Sequence, residues 1–449
     1  MSAPRYKQLL DRLAQEIRSG ALRPGTRLPP LRLLARREGL ALVTASRVYA
    51  ELAGMGLVSG EVGRGTFVRD PSLPAGHGLD LGVLAPDLVD LGFNYPTLPG
   101  QAELLRNGLR QLAQGGDLEA MLRYQPHGGR PHDRATVARH LASRGLYTIA
   151  EQVLLVDGAQ HGLACAGLAL LQPGDVVAID ALSYPGFRLL AETLRLELVA
   201  VPAAGHGAGP DLAALDRLCQ QRRVRALYTM PTLHNPLGWV MGLAEREALA
   251  ALAEQHELLL IEDAAYAYLV ERAPPPLAML APERTVYISG LSKSVAAGLR
   301  LGFVHAPKAR IAALERAIRA STWSTPGLTT ALGCAWLEDG TVARLEREKR
   351  TDARERQSLA AELLGALPRI GHPGSYFLWL PLGEDVRADR VAAELLQRGI
   401  SVSTAAPYTG KRDGSEPQAI RLALGSVDRA ALAPALREVR RVIEAHSVL

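Results

Sequence analysis

The residues of this 449-residue chain best equipped for chemistry recur at one kind of place, directly behind short β-rich runs. Asp157-Gly158-Ala159-Gln160 follows the run 152–156, Tyr184 follows 176–179, and Asn235 follows 226–230. Asp263 and Tyr266 come with the run 258–262. Ser289, Ser292 and Lys293 close the run 285–289, with Arg300 shortly behind. Gly158 permits a tight turn, and the helix that begins there offers free N–H groups able to cradle a phosphate. Tyr184 sets an aromatic ring beside the same edge. Singly, each is a weak signal, because a lone Lys, Asp or Tyr at a strand end is usually structural. They gain meaning only as a set.

For the set to converge, the runs must lie side by side. The runs 152–156, 176–179, 196–201, 226–230, 258–262 and 285–289 alternate with Ala/Leu/Arg-rich helical stretches. Such alternation predicts βαβ units and a mostly parallel sheet with helices on both faces. Sheets of that kind place ligands at the carboxyl ends of their strands. Ahead of this domain, Leu9, Leu10, Leu13 and Ile17 predict an amphipathic helix ending near Gly20. A second helix opens at Pro30 and ends at Gly39, and a third runs from about Val43 to Met55 with Val48, Leu52 and Met55 inward. Two strands, Leu57-Val58 and Thr66-Phe67-Val68, flank a Gly-rich hairpin. The Pro/Gly-rich stretch Asp70 to Gly78 reads as a linker. The predicted division is 1–70, a linker at 71–90, and 91–449.

Charge supports that division. Residues 1–70 carry twelve Lys or Arg against six Asp or Glu, while the whole chain is only +5, so the rest is close to neutral. A small basic part suggests a polyanionic partner. Three separated cysteines, Cys165, Cys219 and Cys334, fit reduced thiols in a cytoplasmic protein. No run of about 18 uncharged apolar residues predicts a membrane span. His127 and His132 have poor metal spacing and read as loop residues, and no metal is expected. The Arg/Glu-rich stretch 344–356 predicts a solvated helix with paired charges.

The motifs carry resemblances. Ile17-x-x-Gly20-x-Leu22-x-Pro24-Gly25-x-x-Leu28-Pro29-x-x-Arg32-x-Leu34-Ala35, Tyr49-x-x-Leu52 and Gly63-Arg64-Gly65-Thr66-Phe67-Val68 resemble the winged helix-turn-helix of the GntR family of bacterial regulators. That resemblance implies double-stranded operator DNA as a partner, with Arg32, Thr44, Ser46, Arg47, Arg64 and Gly65 as candidate contacts. Ala41-Leu42 stands where the family usually has Ser-Arg. This departure implies weaker or differently addressed DNA binding, since Leu42 cannot make an arginine's contacts.

From about residue 90 to 430 the strand-end motifs resemble the fold type I pyridoxal-phosphate aminotransferases, which have a smaller C-terminal α/β subdomain. The resemblance implies pyridoxal 5'-phosphate on Lys293 as a Schiff base, with Asp263 on the ring nitrogen and Asn235 and Tyr266 on the 3'-oxygen. It implies Tyr184 on the ring face, and Gly158, Ala159, Gln160, Arg300 and Ser292 or Ser289 around the phosphate. Tyr124 matches a tyrosine that reaches the partner subunit's phosphate, which implies a homodimer. Arg421 resembles the arginine that grips a ligand carboxylate. Ala159 and Leu237 depart from the usual phosphate-binding Ser or Thr and from the usual Thr of Asn-Pro-x-Gly.

The fused layout resembles the MocR subfamily of GntR-family regulators. It implies a transcription regulator that senses pyridoxal phosphate, or a small amine or amino acid, through aldimine chemistry at Lys293. Its dimer would be head-to-tail with exchanged winged helices. An enzymatic main role is not expected, although a residual half-reaction is compatible with these residues. The rival reading is a working aminotransferase with an appended DNA-binding domain.

Overall fold

The computed structural model describes residues 5–19, 21–23, 25–54, 57–61, 65–68, 88–115, 117–383, 386–409 and 417–447. The predicted apolar stripe of the first helix is buried: Leu9, Leu10, Leu13 and Ile17 form the inner face of α1 (Arg5–Arg18). Pro30 is the residue before α2 (Leu31–Glu38) rather than its first helical residue, and Gly39 ends that helix in the left-handed conformation at φ 63°. In α3 (Leu42–Gly54), Ala45, Val48, Tyr49 and Leu52 point into the same small core. The wing is an antiparallel hairpin of β1 (Val58–Glu61) and β2 (Gly65–Val68), paired from Val58↔Val68 to Glu61↔Gly65. Met55, Gly63 and Arg64 lie outside the described residues.

Most of the predicted linker also lies outside them, but Val89–Asp90 (β3) already pairs in parallel with Ile400–Ser401 (β12). Beyond it come β4 (Val153–Val156), β5 (Val176–Asp180), β6 (Glu197–Val201), β7 (Val224–Thr229), β8 (Leu259–Asp263), β9 (Thr285–Gly290) and β10 (Gly302–His305). These seven form one sheet in the order β4-β10-β9-β8-β7-β5-β6, in which β10 alone runs antiparallel to its neighbours. The central strands are covered on both faces, which is why they read as unbroken apolar runs instead of alternating ones. A separate sheet, β11 (Phe377–Pro381), β14 (Ala419–Ala423) and β13 (Ser403–Thr404), packs with the helix Arg429–Ser447 around Leu378, Leu380, Leu422 and Leu436. The Arg387 guanidinium, at the start of a helix of this subdomain, lies 4.9 Å over the Phe67 ring of the wing.

One expectation holds for only one face. The stretch 344–356 is helical, within Thr341–Leu364, and Arg344 and Glu348 pair on its exposed side, but Glu346, Lys349, Asp352 and Arg356 are buried. These charges continue a stripe begun by Val342 and Leu345 and finished by Ala360 and Leu364, so the buried face runs unbroken beneath them. Among the described residues no helix is long and apolar enough to cross a membrane.

The sheet also sets a tight glycine contact. A Cβ on Gly302 would stand 2.5 Å from the Gly158 carbonyl carbon, whereas one on Gly298 would meet nothing within 4 Å. Gly302→Ala therefore lowers stability by roughly 1–3 kcal/mol in chemical denaturation, through overpacking against backbone. Gly298→Ala stays within about 0.5 kcal/mol of the parent.

Candidate functional site

The antiparallel course of β10 is what completes the strand-end cluster. Its first residue, Gly302, sits opposite Val156 at the end of β4 and opposite Gly290 at the end of β9. Arg300, just before it, thus arrives at the turn after β4, where its Nη2 donates to the Asp157 carbonyl at 2.9 Å. Gly158 takes φ 83° and caps the helix Ala159–Leu170; a Cβ there would come within 2.6 Å of the Arg300 guanidinium. A helix N-terminus, a glycine turn and an arginine thereby face one another, an arrangement suited to a phosphate. The Ser292 Oγ lies 3.4 Å from Arg300 Nη1, and the Gln160 amide donates to the Gly186 carbonyl at 2.9 Å. Ser289 instead donates to the Ala264 carbonyl at 3.1 Å.

Asp263 ends β8 fully enclosed. Its carboxylate accepts from the Tyr228 hydroxyl at 2.9 Å and from the Ala265 N–H at 3.0 Å. Burial lifts this carboxyl to about 6, against the downward pull of those two bonds and of Lys293. Burial, and then the neighbouring Asp263 and Tyr266, likewise push the Tyr184 phenol well above its usual range. Lys293 donates to the Asn94 carbonyl and lies 5.9 Å from the Tyr266 ring centroid. Asn94 Nδ2 donates to the Tyr266 hydroxyl at 3.2 Å. Arg421, on β14, donates to the Gly92 carbonyl at 3.2 Å and stacks 4.9 Å over Phe377, whose ring is 5.0 Å from Tyr266. The structure therefore joins Lys293, Asp263, Tyr266, Tyr184 and Arg421 in one site.

Several polar atoms of this site are buried and have no partner: Asn94 Oδ1, Gln160 Oε1, Asn235 Oδ1 and Arg421 Nε. Buried polar atoms are ordinarily satisfied, so such a cluster is the signature of a place built for a polar ligand. Tyr124 is not part of it. Its side chain is 87% exposed and rests 5.6 Å from Trp323. Sequence reasoning passed over Asn94, Tyr228 and Lys349. Lys349 donates to the carbonyls of Pro96, Lys293 and Val295 at 2.8, 3.0 and 2.9 Å, and burial together with Lys293 brings its ammonium down to about 7.

In the small N-terminal domain Arg32 and Ser46 are exposed and Thr44 is half-buried. Arg47 pairs with Glu51 at 2.9 Å and lies 4.7 Å over the Tyr6 ring. Gly65 opens β2 at φ 121°, close to the Arg27 side chain.

Comparison with known proteins now decides the family. Residues 86–439 match the class I and II aminotransferases, and residues 5–68 match the bacterial regulatory proteins of the gntR family. The chain belongs to the class I and II aminotransferase family. With the GntR domain in front, it has the layout of the MocR subfamily of transcription regulators. It is 28% identical to the pyridoxine biosynthesis transcriptional regulator PdxR of Corynebacterium glutamicum, covering 90% of this chain and 88% of that one. It is 28% identical to the transcriptional regulator TauR of Rhodobacter capsulatus, over 97% and 96% of the two chains. The α-aminoadipate aminotransferase LysN of Thermus thermophilus, solved with N-(5'-phosphopyridoxyl)-L-leucine, superposes with a TM-score of 0.73 at 26% identity, over 82% of this chain and 94% of that one. Pyridoxal 5'-phosphate is the cofactor of this fold, and the glycine turn, the buried carboxylate and the unpartnered polar atoms fit it.

The position of Asp263 sets a pH dependence. Its carboxyl is ionised above about 6 and neutral below, and only the ionised form can pair with a protonated ring nitrogen. Cofactor retention through dialysis, read by visible absorbance, falls as pH drops through about 6. Asp263→Asn lacks the charge at every pH and binds the cofactor on the order of 10–100-fold more weakly at neutral pH, as expected for losing a charge-assisted hydrogen bond.

Proposed function

We propose that this regulator binds operator DNA through its winged helix and senses pyridoxal phosphate, or a small amine or amino acid carried on it, at Lys293. When bound, the cofactor supplies an aldehyde that condenses with amines and a ring that draws electrons from the attached nitrogen. Lys293 holds it covalently, Asp263 holds the ring nitrogen, and Asn235 and Tyr266 hold the 3'-oxygen. Tyr184 covers the ring. Gly158, Ala159, Gln160, Arg300 and Ser292 cradle the phosphate, and Tyr124 of the partner subunit reaches it across a homodimer with exchanged winged helices. Arg421 takes the effector's carboxylate. The DNA contacts come from Arg32, Thr44, Ser46, Arg47, Arg64 and Gly65. The working division is 1–70, 71–90 and 91–449, and the protein acts in the cytoplasm.

The observation that carries this reading is the segment 91–96. It follows β3 (Val89–Asp90), the first paired strand behind the linker, and three cations hold it by its main chain. Arg421 donates to the carbonyl of Gly92, Lys293 to that of Asn94, and Lys349 to that of Pro96. The Lys293 amine cannot serve Asn94 once it is covalently engaged, and Arg421 weakens its hold on Gly92 when it turns to a carboxylate. Cofactor binding thus withdraws the hold on Asn94, whereas an amino acid carried on the cofactor frees Lys293 again and draws on Arg421, so each ligand event changes how the segment leading to the DNA-binding domain is held. A coupling of about 1–3 kcal/mol is enough for a switch, and a single hydrogen bond to a cation, about 1.5–3 kcal/mol, is of that size.

The likeness to LysN and the complete set of site residues favour a second reading, a working aminotransferase. Footprinting on the DNA flanking the gene, with and without pyridoxal phosphate and a panel of amines, separates the two. A sequence-specific footprint that changes with cofactor or amine is expected, alongside turnover far below ordinary enzyme rates. Ordinary turnover with no footprint would reverse the assignment. Lys293→Ala is expected to abolish the visible absorbance of the purified protein and the ligand dependence of the footprint, while leaving the footprint itself.

A further inference from the structure

The outer face of α3 is unusual for a helix that enters a DNA groove. Ala45, Val48, Tyr49 and Leu52 are committed to the core, which leaves Leu42, Val43, Ser46, Arg47 and Ala50 exposed. The first turn of such a helix is the part that meets base edges, and here it presents Leu42 at 48% and Val43 at 81% exposure. Arg47, one turn further on, is held by Glu51 and by the Tyr6 ring of α1. Arg32, Arg36 and Arg37 of α2 are exposed. The helix tip is therefore apolar, while the preceding helix presents three exposed arginines.

We propose that Leu42 and Val43 read thymine, by packing against its 5-methyl group in the major groove. The inference rests on the operator-binding reading above and names the base chemistry it selects. The 5-methyl of thymine is the apolar feature that base edges offer in that groove, and apolar side chains are its natural contacts. The gntR-family match over residues 5–68 and the excess of basic residues in the first seventy positions favour DNA, rather than another protein, as the occupant of this face. The arginines of α2 supply affinity by holding phosphates, which carry no sequence information. Sequence is then read by shape and hydrophobic contact, with thymine preferred over cytosine and over uracil. Removing one buried methyl weakens binding about three- to fourfold.

The test uses the full chain loaded with pyridoxal phosphate. A preferred site is selected from random duplex DNA, and each dT is then replaced by dU, which removes only the methyl. One or two positions per half-site lose affinity about three- to fourfold each. In a protein carrying both Leu42→Ser and Val43→Ser that sensitivity disappears at the same positions, while the salt dependence set by phosphate contacts stays unchanged. Wild-type binding that is indifferent to dU at every position overturns the inference, without recourse to any variant. Sensitivity that persists in the doubly substituted protein overturns it too, as does a Val43→Ala protein whose oligomeric state changes while its DNA discrimination does not. If no site is enriched at all, operator binding itself fails and this inference falls with it; a selected site without methyl discrimination removes this inference alone.

Discussion

A carbonyl buried beside a reactive amine must be given a donor, and that donor is the amine itself. Lys293 holds the Asn94 carbonyl, and the neighbouring Gly92 and Pro96 carbonyls are held by Arg421 and Lys349. Leaving such groups without a partner costs about 1–3 kcal/mol each. The main chain at 91–96 is therefore tied to Lys293 and Arg421, which a ligand would recruit, and to Lys349 beside them. The rest of the molecule serves this arrangement. The parallel strands bring Asp263 and Asn235 to one edge, the reversed β10 brings Arg300 to it, and the antiparallel β14 delivers Arg421 from the smaller subdomain.

Lys349 is a second buried cation beside the reactive amine. Its ammonium is fully enclosed among carbonyls rather than facing a carboxylate, and burial with the adjacent Lys293 lowers it to about 7. Asp352 and Glu346 pull in the opposite direction. Asp352 is itself shared among Arg356, Arg429 and the Tyr376 hydroxyl. The long helix Thr341–Leu364 thus carries a buried electrostatic network along the face that an apolar stripe would otherwise occupy.

That network was hidden in the sequence. Glutamates, lysines and arginines spaced three and four apart look the same whether they pair in solvent or reach distant carbonyls, and Lys349 finds its partners at residues 96, 293 and 295. The segment 91–96 was equally hidden, because it acts through main-chain carbonyls that side-chain identity does not encode. By contrast, the strand-end residues were legible. Gly158, needed for a tight turn at positive φ, and Asp263, Tyr266 and Lys293, set behind apolar runs, are fixed by residue type and spacing. The winged helix was legible for the same reason, from its apolar spacing, from Gly39 and from Gly65. The engagement of Arg47 with Glu51 was not read, although its i,i+4 spacing offered the signal.

Hydrogen exchange at residues 91–98 tests the central claim most directly, since it reports whether ligand chemistry at Lys293 loosens the main chain leading to the DNA-binding domain. Measured in the full-length protein, exchange there is predicted to quicken when pyridoxal phosphate is added to apoprotein, and to change again when an effective amino acid frees Lys293 and engages Arg421. In Lys293→Ala it is predicted to be fast from the outset and insensitive to the cofactor. Exchange at 91–98 that stays unchanged, while the same ligands alter DNA binding, would contradict the account and place the coupling elsewhere.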